Sequence, residues 1–327
     1  MSKNKLDLSK HVYIRNMMKA LNLRQVCGDE ASLDRYVVAP DVNRPGLELA
    51  GYSKDEYLKR VTILGRKELD FLRTLDENTQ RMRLEAITDP YTPCIIVSTL
   101  EYGGVTYQTP ETLKQVAWNK NFPVFEYDGE TYQLVVDLVA YLSERLAITD
   151  TIHGVMMNVY GVGVMIKGAP GIGKSELALD LIKRGHMLIA DDRVDVSHIS
   201  HRIYCEAPDI LKRMLEIRGV GVIDVNQLFG ASAFMNKSPL DFIIELANWD
   251  EGLVVDRLNP IKEKETILGL DIQKLVVPVT ASKSLSVVIE AAVTDFKLRK
   301  AGINTTEIFK QNVMKEIQRK NEEEAGR

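Results

Sequence analysis

The amino-acid sequence predicts an α/β protein with two domains, a small N-terminal α/β domain over residues 1–147 and a C-terminal domain over residues 151–327. The chain has 327 residues, which is more than one ordinary compact core holds, so about two domains of ~150 residues are expected. Short apolar runs alternate with helical patterns in the first part of the chain, as in α/β folds. In the second part, an apolar strand runs directly into a glycine-rich loop and a helix follows.

The N-terminal domain is predicted to contain a parallel sheet covered by helices. Its predicted strands are short runs rich in β-branched or aromatic residues, at 36–39, 62–64, 94–99 and 123–127. Its predicted helices cover 110–121 and 131–147. The second helix is amphipathic, because apolar residues recur in it at roughly helical spacing, at Leu134, Leu138, Tyr141, Leu142 and Ala147.

The C-terminal domain follows a predicted linker at 147–150. Two apolar runs, 154–160 and 163–167, flank the turn Gly161-Val162-Gly163 and predict a hairpin or a pair of close strands. The elements predicted after the glycine-rich loop are, in order, a helix over 174–184, a strand over 187–190, a helix over 208–215 and a strand over 220–225. A charged helix is predicted over 307–324, either as a solvated tail or as a docking helix.

The composition argues against several classes of function. Hydrophobic residues make up 45% and charged residues 27% of the chain, as in soluble globular proteins. The net charge of −4 disfavours nucleic acid as a partner, because duplex-binding proteins usually carry a basic face. The three cysteines form no CxxC pair, so neither a disulfide framework nor a zinc site is expected. The sequence shows no secretory signal and no apolar stretch of about 18 residues, so we expect no membrane association and a cytoplasmic location.

The glycine-rich loop matches the phosphate-binding pattern GxxxxGK[ST] without a gap, at Gly168, Ala169, Pro170, Gly171, Ile172, Gly173, Lys174 and Ser175. Glycines let the backbone turn with positive φ and bring its N–H groups against phosphate oxygens. The Lys174 ammonium can reach the β- and γ-phosphates of ATP, and the Ser175 hydroxyl can ligate Mg²⁺. A chance match is the alternative, but the strand over 162–166 and the helix after the loop favour a nucleotide site.

Two carboxylates in tandem, Asp191 and Asp192, follow the predicted strand over 187–190. A parallel strand beside the loop strand would present them near the γ-phosphate. One carboxylate could then contact Mg²⁺, and the other could accept a proton from a hydroxyl nucleophile. The alternative is that one of them caps the next turn, which aspartate does well. The sequence therefore predicts phosphoryl transfer, with at least one of the two carboxylates taking part.

Several segments in chain order carry a resemblance to a known family. They are RPGLELAGY at 44–52, HG at 153–154, VYGVGV at 159–164, GIGKSE at 171–176, KRGH at 183–186, ADD at 190–192, LEIRGVGVID at 215–224, LFG at 228–230 and DRL at 256–258. Together they resemble the bacterial HPr kinase/phosphorylase family over nearly the whole chain. The resemblance implies ATP-dependent phosphorylation of a serine on HPr, the small phosphocarrier protein of the sugar phosphotransferase system, in carbon catabolite control. Many family members also remove that phosphate by phosphorolysis and release pyrophosphate.

The resemblance also implies a fold and a set of roles. The fold is a C-terminal P-loop core related to phosphoenolpyruvate carboxykinases, in a homohexamer. By matched position, Asp192 is the general base for the substrate serine and the general acid in the reverse direction, while Lys174 holds phosphates. The remaining implied roles are Mg²⁺ ligation by Ser175 and Glu216 and catalytic support by His153 and Arg257.

Structural roles remain open as alternatives for three of these side chains. His153 could be a hydrogen-bonded structural histidine. Glu216 could form an ion pair with Arg218. Arg257 could form a surface pair with its neighbour Asp256.

A catalytic segment is implied by the resemblance and consists of Leu215, Glu216, Ile217, Arg218, Gly219, Val220, Gly221, Val222, Ile223 and Asp224. The residues alone also allow a helix that stops at Gly219 and leads into a core strand. Both interpretations place an apolar strand at the end of the segment.

The segment that the family uses for dephosphorylation departs from the family pattern. Many members carry PVRPGRN, whereas this chain has Pro278, Val279, Thr280, Ala281, Ser282 and Lys283 before Ser284. Both arginines are replaced, and two lost guanidinium groups weaken the expected grip on phosphate. Kinase activity is therefore the firmer expectation and phosphorylase activity the weaker one. Ala169 and Pro170 also differ from the family, but they contribute mainly backbone to the loop.

Two other functions compete with an HPr kinase. A P-loop kinase of a small molecule would need an arginine-bearing lid, and the charged run 262–265 holds no arginine. A nucleotide-binding regulator without turnover is the third possibility. The presence of Lys174, Ser175, Asp192 and Glu216 argues against it, and the altered 280–284 loop argues slightly for it.

Overall fold

The computed structural model describes residues 10–52, 59–248, 263–279 and 284–325. The chain divides into two compact units, Met1–Ala147 and Ile148–Arg327. Both units combine helices with sheets, which confirms the predicted α/β fold class. Arg257 and residues 280–283, which have predicted roles, lie outside the described residues.

The N-terminal unit is built on a largely parallel sheet. Its helices and strands are β1 (Val12–Tyr13), α1 (Ile14–Ala20), β2 (Arg24–Cys27), β3 (Tyr36–Val37), β4 (Val42–Asn43), α2 (Gly46–Leu49), β5 (Val61–Leu64), α3 (Arg66–Arg73), α4 (Glu77–Ile87), β6 (Ile95–Tyr102), β7 (Val105–Tyr107), α5 (Glu111–Asn119), β8 (Val124–Asp128) and α6 (Thr131–Arg145). The sheet has the order β2-β8-β6-β5-β4, in which β4, β5, β6 and β8 run parallel and the edge strand β2 is antiparallel.

Helices cover both faces of this sheet. One apolar cluster contains side chains of α3, α4 and α5, and the other contains those of α1 and α6. Burial on both faces explains why β5 is apolar at nearly every position. The predicted parallel sheet and its helices are confirmed, apart from small differences at their ends. The predicted strand over 36–39 is shorter and pairs with β1, outside the parallel sheet.

The C-terminal unit contains two larger sheets and a hairpin. Its elements are β9 (Ile148–His153), β10 (Val155–Val159), β11 (Val162–Gly168), α7 (Lys174–Lys183), β12 (Met187–Ala190), β13 (Arg193–Ile199), β14 (Arg202–Glu206), β15 (Met214–Ile217), β16 (Gly221–Asp224), α8 (Val225–Phe229), β17 (Lys237–Pro239), β18 (Phe242–Asn248), β19 (Glu263–Ile267), β20 (Leu270–Val279), α9 (Leu285–Lys300) and α10 (Thr305–Ala325). The main sheet has the order β12-β10-β11-β18-β20-β19, and the second sheet has the order β17-β14-β13-β9.

The main sheet lies between helices on one face and the second sheet on the other. Side chains of α7 and α9 form one apolar cluster with β10, β11 and β18. Side chains of β13 and β14 form another with the opposite face of β10, β11 and β18. Alternate residues of a strand point to opposite faces, so a strand covered on both faces is apolar throughout, as β10 is. The predicted hairpin of β10 and β11 is confirmed.

A close approach of two backbones fixes the start of β11. A Cβ atom added to Gly163 would overlap the carbonyl oxygen of Pro239. The amide of Asp241 donates to the Gly163 carbonyl at 2.9 Å. This bond lies just before β18, the parallel neighbour of β11. Any side chain at position 163 would therefore push apart the two strands that lead towards the phosphate loop.

The helix predicted over 208–215 is wrong. The chain forms a short 3₁₀ turn at Asp209–Leu211 and then strand β15, which pairs with β16 as a hairpin. Leu215 and Ile217 are buried, whereas Met214 is half-buried and Glu216 is exposed, which is the two-residue period of a strand. Gly219 lies in the hairpin turn with φ of 82°, so it does not end a helix. The strand predicted over 220–225 is confirmed as β16, which ends at Asp224, the N-cap of α8.

Helix α10 confirms the helix predicted over 307–324. Its apolar side chains are exposed, at Ile308, Phe309, Val313, Met314 and Ile317. Both alternatives for this helix therefore stay open. No helix in the described part of the chain is long and apolar enough to cross a bilayer.

Phe242 on β18 stacks on Phe296 on α9, so substitution of Phe242 tests how α9 packs on the main sheet. Their ring centroids are 4.7 Å apart and both side chains are buried. Phe242→Ala should lower the free energy of unfolding of the C-terminal unit by about 3–5 kcal/mol, measured by urea denaturation. Val287→Ala, at an exposed position of α9, should change it by less than about 0.5 kcal/mol. Equal effects of the two substitutions would contradict this packing.

Candidate active site

The phosphate loop connects the end of β11 to the start of α7. Gly173 has φ of 97°, in the left-handed region that favours glycine, and α7 begins at the next residue, Lys174. The first N–H groups of a helix have no partners within it, so they are available to an anion at this end. The helix dipole adds partial positive charge at the same place. The loop therefore has the backbone geometry of an anion site.

The Lys174 side chain folds back over the loop. Its ammonium donates to the carbonyl oxygens of Gly168 at 3.1 Å and Ala169 at 3.2 Å. These contacts hold the cation above the backbone N–H groups, where a phosphate would be bound. A phosphate can then take Lys174 as a partner after only a small movement of its flexible side chain.

Asp191 is the buried centre of the site. The Ser175 hydroxyl donates to its two carboxylate oxygens at 3.0 and 3.2 Å, and the backbone N–H of Glu216 donates to Oδ2 at 3.1 Å. The residue is only 7% exposed. Burial raises the pKa of the Asp191 carboxyl above its ordinary value, although the hydrogen bonds from Glu216 and Ser175 act in the opposite direction.

The topology that brings Asp191 to the loop differs from the prediction. The strand before it, β12, pairs with β10 and is not the neighbour of the loop strand β11. Because β10 is antiparallel to both, β11 and β12 run in the same direction and end at the same edge of the sheet. The predicted adjacency is wrong, whereas the predicted proximity of the acidic pair to the loop is correct.

Asp192 faces solvent although its neighbour is buried. The amide of Arg193 donates to the Asp191 carbonyl at 2.7 Å, and this tight turn gives Asp192 a φ of 61°, uncommon for a residue other than glycine. The Asp192 carboxylate is 82% exposed, and one of its oxygens lies 3.8 Å from Nδ1 of His153. The amide of Gly154 donates to the Asp192 carbonyl at 3.0 Å, which holds the two segments together. His153 is likewise exposed.

Glu216 reaches the site from the β15–β16 hairpin. Its amide is bound to Asp191, and its side chain is exposed on the face opposite the buried Leu215 and Ile217. The structure describes both Glu216 and Arg218, and no ion pair joins them. The ion-pair alternative for Glu216 is therefore not supported.

The oxygen atoms at the site suit a magnesium ion that is also held by phosphates. The donors are the Ser175 hydroxyl and the carboxylates of Asp191 and Glu216, which are the ligand types that Mg²⁺ prefers. Within the described ranges, no three histidine, cysteine, aspartate or glutamate side chains form a ready-made metal site. Mg²⁺ is usually held by one or two carboxylates together with substrate phosphates, so this sparse donor set fits it.

Several predicted site residues meet at this edge, and others do not enter the described region. The structure brings together Lys174, Ser175, Asp192, His153 and Glu216 around Asp191. Arg257 and residues 280–283 lie outside the described residues, and Pro278 and Val279 end β20. The bond from the Glu216 amide to Asp191 was not predictable from the sequence, because every residue except proline has such an amide and no side-chain signal marks it.

Comparison with known proteins gives family matches for both units. The model of the HPr Serine kinase N terminus matches residues 12–142, and that of the HPr Serine kinase C-terminal domain matches residues 144–313. The HPr kinase/phosphorylase of Alkaliphilus metalliredigens is 36% identical over 96% of this chain and 100% of its own length. The HPr kinase/phosphorylase of Pediococcus pentosaceus is 38% identical over 92% of this chain and 96% of its own length.

A solved structure is also similar in sequence to part of the chain. The Hpr(Ser) kinase/phosphatase from Coxiella burnetii is 34% identical, with a TM-score of 0.45. The match covers 47% of this chain and 93% of that chain.

The buried carboxylate of Asp191 should make the stability of the protein depend on pH when a chelator removes metal. Because its pKa is raised in the folded state, the folded chain binds the proton more tightly than the unfolded chain. The tighter binding of this proton stabilises the folded chain. Its stabilising effect is complete below the unfolded pKa of 3.8 and is lost as the pH rises through the folded pKa. Asp191→Asn should therefore show a smaller fall in the free energy of unfolding between about pH 4 and pH 8, measured by urea denaturation.

The matched control is Asp209→Asn, which removes an exposed carboxylate of the same unit whose pKa is lowered by Lys212. This substitution should not change the fall in the free energy of unfolding between about pH 4 and pH 8. Identical pH profiles for the wild type and Asp191→Asn would contradict a raised pKa at Asp191.

Proposed function

Because the chain belongs to the HPr serine kinase family, with relatives 36–38% identical over nearly its full length, we propose that it transfers the γ-phosphate of ATP to a serine of HPr. We propose that it also catalyses the reverse type of reaction, the phosphorolysis of phosphoseryl-HPr, because these relatives are named kinase/phosphorylase. Both directions use the edge of the main sheet where the phosphate loop, Asp191 and Asp192 meet.

In the forward direction, the serine oxygen of HPr forms a bond to the γ-phosphorus of ATP as the bond to the bridging oxygen of ADP breaks. Asp192 accepts the serine proton, as a positioned carboxylate does in kinases. Lys174 and the backbone N–H groups of the loop bind the phosphates. His153, with Nδ1 at 3.8 Å from the Asp192 carboxylate, orients that base.

In the reverse direction, an oxygen of inorganic phosphate attacks the phosphorus of phosphoserine. The phosphorus–serine bond breaks, Asp192 returns its proton to the serine oxygen, and pyrophosphate remains in the loop. The same groups serve both directions, because the phosphate loop binds the β- and γ-phosphates of ATP or the two phosphates of pyrophosphate.

Mg²⁺ held by Ser175, Asp191 and Glu216 would neutralise charge on the polyphosphate as the phosphoryl group moves. Asp191 contributes by holding the Ser175 hydroxyl and the Glu216 strand in place before the nucleotide arrives. This division assigns the buried carboxylate to metal binding and organisation, and the exposed one to proton transfer.

The exposure of Asp192 is the observation that favours a protein substrate. A carboxylate that is 82% exposed can meet a hydroxyl on the surface of a folded partner such as HPr. A kinase for a small molecule encloses its substrate to exclude water, and an open carboxylate at the loop edge does not fit that requirement. Lys174, Ser175 and Asp192 together also favour turnover over a silent nucleotide regulator.

The remaining assignments rest on the resemblance. We propose that the protein works in the cytoplasm as a homohexamer, with no nucleic acid or membrane partner. Arg257 supports the transferring phosphoryl group, and the segment 278–283 acts in dephosphorylation. Because that segment keeps Lys283 but has lost the family's two arginines, the reverse reaction is expected to be the slower of the two.

The direct test is mass spectrometry of HPr incubated with the protein, Mg²⁺ and ATP. One added phosphate on a serine is expected, followed by its loss with pyrophosphate release once ATP is removed and inorganic phosphate is supplied. An HPr that gains no phosphate under any of these conditions would contradict the proposal.

Two substitutions separate phosphate binding from proton transfer. Lys174→Ala should sharply weaken ATP binding, because it removes the loop cation. Asp192→Asn should preserve ATP binding but slow the phosphorylation of HPr by about 10²–10⁴-fold, because a general base is lost. Both effects are measured by equilibrium binding and by the initial rate of HPr phosphorylation.

Asp150→Asn is a matched control, since it changes an exposed carboxylate of β9 in the same way. It should leave both properties intact. A full rate of HPr phosphorylation by Asp192→Asn would show that Asp192 is not the base.

A further inference from the structure

The β15–β16 hairpin presents a second charged side chain towards the phosphate loop. Along β15, the buried Leu215 and Ile217 alternate with the exposed Glu216, and the next residue of the same exposed series is Arg218. The hydrogen bond from the Glu216 amide to Asp191 fixes this strand to the site. Arg218 therefore lies two residues after an anchored residue and is exposed as Glu216 is.

The Arg218 guanidinium lies against the middle of the phosphate loop. A Cβ atom added to Gly171 would be 3.1 Å from Nη2 of Arg218. Some other arginines of the same unit are held by carboxylates, as Arg184 is by Glu290 and Arg299 is by Asp295. Among the described side chains, no carboxylate pairs with Arg218. An arginine that has no carboxylate partner among the described side chains thus lies beside a loop with the backbone geometry of an anion site.

The carboxylates and the phosphates together bring more negative charge to the site than Lys174 alone can balance, so a second cation would be favourable there. Asp191, Asp192 and Glu216 bring carboxylates to the loop edge, whereas Lys174 is the cation that the loop itself supplies. A nucleoside triphosphate or pyrophosphate adds several further negative charges. A guanidinium suits this position because its planar fork can donate two parallel hydrogen bonds to phosphate oxygens and stays charged at any physiological pH.

We propose that Arg218 is a phosphate-binding residue that donates to the γ-phosphate of ATP and to pyrophosphate, from beside Gly171 of the loop. This inference rests on the proposed function, because it assumes that the loop binds these phosphates. It gives Arg218, a member of the 215–224 segment, a role distinct from the metal ligation proposed for Glu216.

The role of Arg218 is tested by measuring the affinity of the purified full-length chain for ligands with and without a γ-phosphate, and for pyrophosphate. The ligands are ADP, a non-hydrolysable ATP analogue and pyrophosphate, each with Mg²⁺. Arg218→Gln should weaken binding of the ATP analogue and pyrophosphate by about 10- to 100-fold, the effect of losing a charge-assisted bidentate contact. Binding of ADP should fall much less, and Arg218→Lys should restore part of the affinity for pyrophosphate.

Arg202→Gln is the matched control, because Arg202 is an exposed arginine on β14 in the second sheet. It should change none of the affinities. The Michaelis constant for HPr provides a further control, since Arg218→Gln should raise the constant for ATP and leave that for HPr nearly unchanged.

Two outcomes would overturn the inference while leaving the proposed function intact. One is unchanged binding of pyrophosphate and the ATP analogue by Arg218→Gln. The other is an equal loss for ADP and the ATP analogue, which would show that Arg218 shapes the loop and does not bind the terminal phosphate. A wild-type chain that binds neither nucleotide nor pyrophosphate would instead overturn the proposed function, and this inference with it.

Discussion

The buried carboxylate of Asp191 is the constraint on which the active site depends. Removing a carboxylate from water is costly unless hydrogen-bond donors compensate it, and here the donors are the Ser175 hydroxyl and the Glu216 amide. Those donors belong to the start of α7 and to the β15–β16 hairpin, two pieces of chain that no strand pairing joins. The cost of burying Asp191 is thus offset only when the phosphate loop and the hairpin are both in place.

Two adjacent aspartates perform different tasks because the backbone turns between them. Asp191 follows the buried strand β12 and is itself buried, whereas the tight turn at Asp192, with φ of 61°, directs the next carboxylate into solvent. Backbone conformations of this kind are strained and persist where the surrounding structure holds them, here through the bond from the Gly154 amide. A buried organising group and an accessible base can therefore occupy consecutive positions of one chain.

Much of this site could be predicted from the sequence, and the predictions that were wrong or missing have definite physical reasons. The loop from Gly168 to Ser175 and the helix after it were predictable, because the glycines and the lysine have fixed tasks in phosphate binding. The start of β15 was predicted as the end of a helix over 208–215, because a short run with two apolar residues supports either period until its partner β16 is known. The position of β10 between β11 and β12, and the bond from the Glu216 amide, depend on tertiary pairing that leaves no local signal.

Hydrogen exchange of the Glu216 amide, followed by NMR, measures the link through Asp191 most directly. The amide lies on the edge of a small exposed hairpin, so its protection depends on the 3.1 Å bond to Asp191. In Asp191→Ala the Glu216 amide should exchange much faster, while the amides of the β10–β11 hairpin, which pair with backbone carbonyls, should keep their protection. Unchanged protection at Glu216 in that variant would contradict the claim that Asp191 joins the hairpin to the phosphate loop.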